Sequence, residues 1–383
     1  MVVYDAVVVG AGVEGSATAY HLAKDGQRTL LLEQFPLPHS RGSSHGQTRI
    51  TRRAYPQDFY SHMMIEATHF WKDLQKASDV QVYKPIGYVV IGKHGGQYLQ
   101  NNIDAMKKSG APYTVLDSAA FKRQYPMLNY PSDYGGIYDP DGGLLRADRA
   151  LNALQALFKR YGGEIRDGQR VVQVTPEGQG RVTVRTERDV FVTRSVVLCC
   201  GPWTSDLTSQ LDLKLQLQPV RISVCYWKES SQNSHSYKKL PTFFEEKCCA
   251  GHAIYGLPSE EYPGCVKLCL HHGPEIHPDR RDVVDDTWVR RSLSQYVQRH
   301  FPGLEPTPAV VETCIYTNTP DRHFILDTHP QWKNIVIGAG FSGHGFKLAP
   351  VVGRVLSQLA QGKDPSYDLT PFRINRFCPS AQL

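Results

Sequence analysis

Three glycines near the start of the chain have the spacing of a loop that binds phosphate groups. Gly10, Gly12 and Gly15 follow the apolar residues 6 to 9, which predict a buried strand, and precede a pattern that predicts a helix. Glycines in such a loop allow a tight turn, close approach of backbone to a pyrophosphate, and close packing of helix on strand. The N–H groups at the helix N-terminus then face the phosphates. The spacing therefore predicts a nucleotide site.

An acidic residue completes this unit. Glu33 ends a second apolar run, residues 29 to 32, and follows Gly15 at close to the typical distance of about 20 residues. A carboxylate at this position accepts a hydrogen bond from a ribose hydroxyl and disfavours a 2′-phosphate. The order strand, glycine loop, helix, strand and acid predicts a dinucleotide site, against the weaker interpretation of a glycine-rich turn without a ligand. Both NAD and FAD satisfy this motif.

A second glycine loop lies near the end of the chain and repeats the spacing of the first. Its glycines and the lysine that follows them are Gly338, Gly340, Gly343, Gly345 and Lys347. A helix is predicted over residues 348 to 361, but no strand and no distal acid follow it. The loop can still point a helix N-terminus at an electron-rich group such as a flavin carbonyl. One complete and one truncated loop favour FAD over NAD, because FAD is long enough to lie between them.

A strand predicted over residues 264 to 272 places a lysine between two thiols. Cys265, Lys267, Cys269 and His271 share one face because successive side chains of a strand alternate. We do not expect a zinc site here, since alternate strand positions suit one tetrahedral ion poorly and no second ligand pair is evident. Lys267 is either a surface lysine with a buried stem or a cation that faces a site.

Two further segments carry residue types that could bind an anion or a cofactor. A strand predicted over residues 312 to 318 places Cys314 and Tyr316 on one face. Residues 48 to 53 predict a helix, on which Arg49 and Arg52 would share a face because they are three positions apart. From composition alone, a solvated basic helix is the simpler interpretation. The alternative is a pair of cations that face a cofactor or a carboxylate.

Composition restricts the class of protein. The chain has 383 residues, a net charge of +6 and nine cysteines, two pairs of which are adjacent. An odd count of cysteines favours a reducing compartment over a disulfide framework. No basic stripe interleaved with aromatic residues indicates a nucleic-acid partner, and no apolar run approaches the length that spans a membrane. Because the first predicted strand begins directly after Met1, we expect no signal or transit peptide.

The elements that must position these residues predict an α/β protein. Residues 195 to 200 form another buried run that ends at Gly201 and belongs with the first sheet. The nucleotide domain is therefore expected to be assembled from separated segments. Between residues 217 and 304 the predicted strands are longer and of antiparallel character, which indicates a second domain.

Four motifs together resemble the monomeric sarcosine oxidase family, and in particular its vertebrate peroxisomal branch. They are residues 10 to 15, Arg41-Gly-Ser-Ser-His45-Gly-Gln-Thr48-Arg49, Cys314-Ile-Tyr316-Thr-Asn-Thr-Pro-Asp321, and residues 338 to 347. The similarity covers essentially the whole chain. It implies a Rossmann-like FAD-binding domain of the glutathione-reductase and D-amino-acid-oxidase type, with a substrate domain built on a mixed, largely antiparallel sheet. The implied FAD-binding segments are 1–85, 145–216 and 305–383, and the implied substrate segments are 86–144 and 217–304.

The resemblance also implies roles for individual residues. FAD would be attached covalently through Cys314. The implied cofactor-binding residues are Gly10, Gly12, Gly15, Glu33, Arg41, Ser44, His45, Thr48, Cys314, Gly340, Gly343, Gly345 and Lys347. The implied substrate-binding residues are Arg52, Lys347, Tyr255 and Tyr316, and the implied catalytic residues are Lys267, Arg49 and His271. Lys267 is the cation at which oxygen would react.

The activity implied by the resemblance is an FAD-dependent oxidase of secondary amino acids, with L-pipecolate, sarcosine and L-proline as candidate substrates. Hydride transfer from the amine carbon to the flavin would give an imine, and reoxidation by O2 would give hydrogen peroxide. Two alternatives are a flavin-dependent dehydrogenase that passes electrons to a carrier and a non-catalytic flavoprotein.

The last three residues, Ala381-Gln382-Leu383, are similar to a peroxisomal address of the small–basic–leucine type, with Gln382 in place of the basic residue. They imply a peroxisomal import receptor as a partner and the peroxisomal matrix as the location. The resemblance further implies a monomer.

Overall fold

The computed structural model describes residues 3–230 and 236–377. Its helices are α1 (Val13–Lys24), α2 (Asp58–Ser78), α3 (Gln97–Lys108), α4 (Ser118–Gln124), α5 (Ala147–Arg160), α6 (Thr204–Thr208), α7 (Thr287–His300) and α8 (Ala349–Ala360). None of these helices is long and apolar enough to cross a bilayer. The C-terminal tripeptide lies outside the described residues.

The strands fall into three sheets. They are β1 (Val3–Val9), β2 (Thr29–Leu32), β3 (Thr48–Thr51), β4 (Tyr83–Pro85), β5 (Tyr88–Lys93), β6 (Thr114–Leu116), β7 (Tyr134–Asp139), β8 (Gly143–Arg146), β9 (Glu164–Arg166), β10 (Val171–Glu177), β11 (Arg181–Thr186), β12 (Val190–Leu198), β13 (Gln218–Lys228), β14 (Thr242–Cys249), β15 (His252–Pro258), β16 (Cys265–Leu270), β17 (Val310–Asn318), β18 (Ile325–Thr328) and β19 (Ile335–Ala339).

The first sheet is centred on β1, which lies parallel to both β2 and β12. The order is β10-β11-β12-β1-β2-β9, and β19 joins the second half of β12 in parallel. Ala6 and Val8 pack into a core shared with α1, α2, α5 and α8, whereas Val7 and Val9 pack into the core on the opposite face. Because both faces of β1 are covered over residues 6 to 9, these four residues are apolar without interruption. The assembly of this sheet from separated segments is confirmed.

The second sheet has the order β17-β13-β16-β15-β14-β5-β7-β6. All its neighbouring strands are antiparallel except β14 and β5, which are parallel. This confirms the predicted mixed, largely antiparallel sheet. Successive side chains of β16 alternate between the two faces of the sheet, as expected. Val266 and Leu268 pack into the core beneath α7, while Cys265 and Cys269 lie in the cluster on the other face. The domain boundaries stay a prediction; β17 is paired with β13 of this sheet.

The helix predicted over residues 48 to 53 is wrong. These residues form β3 and the extended segment after it, and β3 pairs antiparallel with β8 in a three-stranded sheet completed by β4. Thr48, Ile50 and Thr51 are β-branched, which favours the strand. The pairing with β8 also satisfies the backbone groups that a helix would have bonded internally. Arg49 and Arg52 therefore do not share a helix face.

Candidate functional site

A cavity of about 730 Å³ is lined by residues from both large sheets, and most of the predicted site residues are among them. The predicted residues in its lining are Gly10, Gly12, Glu33, Ser44, His45, Thr48, Arg49, Arg52, Tyr255, Lys267, His271, Cys314, Tyr316, Gly343, Gly345 and Lys347. Residues that lie up to 337 positions apart in the sequence thus meet around one space. Gly15, Arg41 and Gly340 are not part of this lining.

The loop after β1 is shaped by its glycines. Gly10 has a φ of 100°, and a Cβ there would lie 2.4 Å from the carbonyl oxygen of Cys199. A Cβ on Gly15 would lie 1.9 Å from the carbonyl oxygen of Gly10. A side chain on Gly10 would therefore push the loop away from the end of β12, and one on Gly15 would push α1 away from the loop. Gly15 supports the loop from behind and does not face the cavity.

Glu33 and Ser44 complete the polar surface at this end of the cavity. The Ala11 N–H donates to Glu33 Oε2 at 2.9 Å, and the Phe35 N–H donates to Glu33 Oε1 at 3.1 Å. Ser44 Oγ accepts a hydrogen bond of 2.9 Å from the Val13 N–H in the first turn of α1. Glu33 is thus a buried carboxylate held by two backbone groups, beside a helix N-terminus that attracts negative charge.

Two of the predicted cofactor-binding residues outside the lining have other contacts. Arg41 forms an ion pair of 2.8 Å with Asp282, and both side chains are partly exposed to solvent. Gly340 has a φ of 66°, and a Cβ there would lie 2.4 Å from the Thr319 side chain. Gly340 therefore fixes the loop before α8, while the Arg41 guanidinium points towards Asp282.

Three cations in the cavity have no acidic partner. Arg49 donates to the carbonyl oxygens of Ser43 and Thr48, each at 2.9 Å, and Lys347 Nζ donates to the carbonyl oxygen of His344 at 3.2 Å. Arg52 donates to the phenol of Tyr88. Within residues 3–230 and 236–377, no carboxylate forms an ion pair with any of the three. Unpaired cations in a cavity favour an anionic ligand.

Burial and repulsion between positive charges lower the pKa of Lys347 and of the nearby His271. Burial first, and then the charges of Arg52 and Arg49, hold the pKa of Lys347 well below its usual range. Burial together with the charges of Arg52 and Lys347 lowers the pKa of His271 to about 3, so its imidazole is neutral at neutral pH. A negatively charged ligand would oppose both effects, because it compensates the clustered positive charge.

Aromatic rings enclose the cations on the side of the second sheet. The Tyr316 hydroxyl donates to the Tyr255 hydroxyl at 3.3 Å. The His271 ring lies 5.1 Å from the Tyr316 ring and 5.9 Å from the Phe244 ring, measured between centroids. Nδ1 of His271 is buried without a hydrogen-bond partner among the described residues. Aromatic rings, one imidazole nitrogen without a partner and the three cations thus share the wall of one small pocket.

Lys267 of β16 and Cys314 of β17 both face the cavity, from strands of the second sheet that are separated by β13. Lys267 is buried, and its ammonium contacts Glu261 Oε1 at 3.2 Å and Thr48 Oγ1 at 3.4 Å. The Cys314 thiol is buried and directed at the carbonyl oxygen of Ser43, at 3.8 Å. The interpretation of Lys267 as a surface lysine is therefore wrong, because the side chain is buried and lines the cavity. That the cavity is the site which this cation serves stays a prediction.

Two acids that the sequence analysis missed belong to the same region. Glu261 is the partner of Lys267, and Glu14 lines the cavity with both carboxylate oxygens buried and without a hydrogen-bond partner among the described residues. Burial raises the pKa of Glu14 to about 8, and the Lys347 charge opposes this rise in part. The position of Glu14 inside the first glycine loop was the available signal. Nothing in the sequence connects Glu261 to the cavity.

The residues present fit FAD. The lining glycines keep the cavity open, because a Cβ on Gly343 would lie 2.5 Å from the Tyr316 ring and one on Gly345 would lie 2.5 Å from Glu14 Oε1. The N-terminus of α1 and the loop before α8 both reach the cavity, so a long anionic dinucleotide has suitable groups at both loops. Glu33 supplies the acceptor that a ribose hydroxyl requires.

Comparisons with known proteins agree with this chemistry. The sequence profile of the family described as "DAO: FAD dependent oxidoreductase" matches residues 5–359. The chain is 46% identical to "Peroxisomal sarcosine oxidase" of Homo sapiens over 378 residues, which covers 98% of this chain and 96% of that protein. It is 31% identical to "Monomeric sarcosine oxidase" of Bacillus sp. (strain NS-129) over 380 residues, or 97% of each chain.

Solved structures give the same result for the fold. The chain superimposes on NikD, described as an unusual amino acid oxidase essential for nikkomycin biosynthesis, with a TM-score of 0.83, 27% identity and 98% coverage of both chains. The predicted fold class and the predicted family are therefore confirmed. This chain belongs to the sarcosine oxidase family of FAD-dependent oxidoreductases and is a flavin-dependent amino acid oxidase.

Proposed function

We propose that this protein oxidises secondary amino acids with O2, with L-pipecolate, sarcosine and L-proline as candidate substrates, and releases an imine and hydrogen peroxide. The observation that carries the proposal is the set of three cations without acidic partners, Arg49, Arg52 and Lys347, around one aromatic pocket. An amino acid supplies the carboxylate that such a pocket lacks. When bound, FAD supplies the acceptor for two electrons and the group that reacts with oxygen.

Arg52 and Lys347 are assigned to the substrate carboxylate. The guanidinium of Arg52 lies against the rings of Tyr55 and Phe244, 4.4 Å and 4.9 Å from their centroids, which fixes its plane. An oriented guanidinium can hold a carboxylate through two parallel hydrogen bonds, and the Lys347 ammonium adds a point charge. Arg49, held by three backbone carbonyl oxygens, is assigned to the cofactor side of the cavity.

Tyr255, Tyr316 and His271 are assigned to the rest of the substrate. The two phenols and the imidazole exclude water, and they leave one free ring nitrogen on His271. Because the pKa of His271 is lowered to about 3, the ring is a poor base at neutral pH. Its proposed role is to accept a hydrogen bond from an N–H of the substrate. The substrate must react as the neutral amine, because that form carries the lone pair that the oxidation requires.

Lys267 is assigned to the reaction with oxygen. Reduction of O2 creates an anion, and a fixed buried cation stabilises the charge as it develops. Lys267 meets this requirement because its ammonium is buried in the cavity wall and is held by Thr48 and Glu261.

Cys314 is proposed as the covalent attachment point of FAD. Three cysteines line the cavity, namely Cys199, Cys200 and Cys314. Burial raises the pKa of the Cys199 and Cys200 thiols far above the ordinary value, which makes them poor nucleophiles. Cys314 is the one of the three that lies on β17, the strand that also carries Tyr316.

A substrate panel with peroxide detection tests the proposed activity. L-pipecolate, sarcosine and L-proline are each mixed with the holoenzyme in air, and hydrogen peroxide is measured alongside the flavin absorbance. We expect peroxide with at least one of them. Bleaching under nitrogen without recovery in air would instead identify a dehydrogenase. If none of the secondary amino acids bleaches the flavin absorbance, the protein is a non-catalytic flavoprotein.

The proposed location is the peroxisomal matrix, with import through Ala381-Gln382-Leu383, and the proposed state is a monomer. The location is supported by the name of the human relative and by the C-terminal tripeptide. A fluorescent protein fused to the N-terminus should give punctate fluorescence that overlaps a peroxisomal marker. Deletion of the three residues should make the fluorescence diffuse, and punctate fluorescence after deletion would contradict the assignment. Light scattering after size exclusion tests the monomer.

A further inference from the structure

We infer that Glu261 is a positioning residue for the reaction with oxygen, because it holds the Lys267 ammonium charged and in place at the cavity wall. The inference rests on the proposed role of Lys267. It extends that proposal, because the segment between β15 and β16 then becomes part of the oxygen-reacting machinery even though Glu261 itself does not line the cavity.

The two side chains form a buried ion pair. Lys267 Nζ lies 3.2 Å from Glu261 Oε1, and the exposed fractions of the two side chains are 6% and 3%. Thr48 connects the pair to β3, since its hydroxyl donates to Glu261 Oε1 and lies 3.4 Å from Lys267 Nζ. The three groups form a closed triangle. The ammonium consequently has a fixed position relative to β3 and β16.

The Glu261 carboxylate is itself held by its own turn. Its second oxygen, Oε2, accepts from the Ser259 hydroxyl at 3.2 Å and from the Glu260 N–H at 3.1 Å. Burial alone would raise the pKa of Glu261, but the Lys267 charge and the Thr48 hydrogen bond outweigh burial and hold this pKa below the ordinary value. Glu261 is therefore an ionised and oriented carboxylate at neutral pH.

The other titratable groups near Lys267 do not supply a counter-charge in direct contact. Burial is the main cause that raises the pKa of Tyr226 and of Cys269 and lowers the pKa of His45 to about 3, so all three are neutral at neutral pH. Glu312 accepts hydrogen bonds from the phenols of Tyr226 and Tyr262. Among the acids of the described chain, Glu261 alone forms an ion pair with Lys267.

This geometry gives the carboxylate a function beyond packing. A buried lysine without a counter-charge favours the neutral amine, because burial disfavours the charged form. A neutral amine could not stabilise the anion formed from oxygen. Removal of Glu261 alone would leave Lys267 as a buried cation without a counter-charge, a state that is costly unless the ammonium gives up its proton. The expected effect of removing Glu261 is therefore a change in the charge state of Lys267.

The adjacent acid provides a matched control. Glu260 pairs with Arg146 at 2.7 Å and with Lys84 at 2.8 Å, away from Lys267, and it is partly exposed. Glu260→Gln thus removes the same type of charge from the same turn without touching the triangle. Stopped-flow rates of flavin reoxidation in air-saturated buffer and of anaerobic reduction by substrate are measured from pH 6 to pH 10. The variants are Glu261→Gln, Glu260→Gln, Lys267→Met and the double variant Glu261→Gln/Lys267→Met.

We expect the reoxidation rate of Glu261→Gln to fall with rising pH, to about one tenth of the wild-type rate at pH 9, while it stays within about twofold at pH 6.5. Glu260→Gln should follow the wild-type profile. In the Lys267→Met background, Glu261→Gln should cause no further decrease, because the two residues act through one ammonium. Glu261→Asp, which keeps the charge, should restore most of the wild-type profile.

Three results would overturn the inference. If Glu261→Gln follows the wild-type profile while Lys267→Met reoxidises slowly, only the inference is wrong and the proposed role of Lys267 remains. A further loss of rate in the double variant would mean that Glu261 acts through the fold. If Lys267→Met reoxidises at the wild-type rate, the proposed role of Lys267 is wrong and the inference is lost with it.

Discussion

The guanidinium of Arg52 donates a hydrogen bond to the phenol of Tyr88, so the partner of this cation is a neutral group. Arg53, the next residue, instead pairs with the carboxylate of Asp141 at 3.1 Å. Two adjacent arginines thus differ in whether their charge is compensated within the protein. The uncompensated one lines the cavity, and this difference allows a controlled test of substrate binding.

Arg52→Gln should raise the KM for the amino acid substrate by about 10- to 100-fold, because it removes a charge-assisted hydrogen bond to the carboxylate. The measurement is the dependence of the initial rate of peroxide formation on substrate concentration in air-saturated buffer. Arg53→Gln is the control and should leave this KM within about twofold, although it breaks an ion pair. Equal effects of the two substitutions would contradict the assignment of Arg52.

Cys314→Ser should release the flavin on acid precipitation. Serine keeps the size of the side chain but cannot form the thioether, so the yellow colour should move from the pellet to the supernatant. Cys200→Ser is the control, because Cys200 also lines the cavity and should not affect attachment. Yellow pellets from Cys314→Ser would show that the flavin is attached elsewhere.

Glu14→Gln should change how the stability of the holoenzyme depends on pH. The folded-state pKa of Glu14, about 8, lies above its ordinary value of 4.5, so the folded protein retains a proton that the unfolded chain releases. This group therefore favours folding fully below about pH 4.5, and its contribution is lost as the pH rises towards 8. The difference of about 3.5 pKa units limits the total change to at most about 5 kcal/mol.

Glutamine has no such dependence, so the melting temperature of Glu14→Gln relative to wild type should be higher at pH 8 than at pH 5. Thermal melting at both pH values provides the measurement. Glu246→Gln serves as the control because Glu246 is exposed, and its melting temperature should track wild type at both values. A constant difference between Glu14→Gln and wild type would mean that Glu14 does not hold a proton in the folded state.

Gly15→Ala should destabilise the protein by about 2–3 kcal/mol and reduce its FAD content, because the added Cβ overlaps the carbonyl oxygen of Gly10. Gly178→Ala is the control, since no atom lies within 4 Å of a Cβ at that position. The melting temperature and the flavin-to-protein absorbance ratio of purified protein measure the two effects. A wild-type ratio in Gly15→Ala would contradict the claim that α1 must approach β1 closely at this point.

Sequence patterns correctly predicted those features that depend only on residues close together in the sequence. The glycine loop after β1 and Glu33 after β2 lie within one short segment, so spacing alone described them. The orientation of Lys267 followed from the alternation of side chains in β16. In each case the relevant interaction lies within a single strand or a single strand–helix unit.

The errors occurred where distant segments decide the structure. Residues 48 to 53 form β3 because β8, almost 100 residues later in the sequence, supplies its hydrogen-bond partners. Glu261 lies in a polar turn, and only the folded sheet brings Thr48 of β3 into contact with it. The proposed role of Cys314 among nine cysteines comes from resemblance to a family, since composition does not distinguish it.

The parallel pairing of β19 with β12, and the packing of α8 on α1, place the last glycine loop directly beside the first. The first loop is synthesised early, but the wall that contains Gly343 and Lys347 can form only after these residues have left the ribosome. The space between the two loops is therefore incomplete on any nascent chain that ends before Lys347, so FAD can be enclosed there only late in synthesis or after it. Until then, the apolar strands around this space lack their final packing, a state in which aggregation competes with folding.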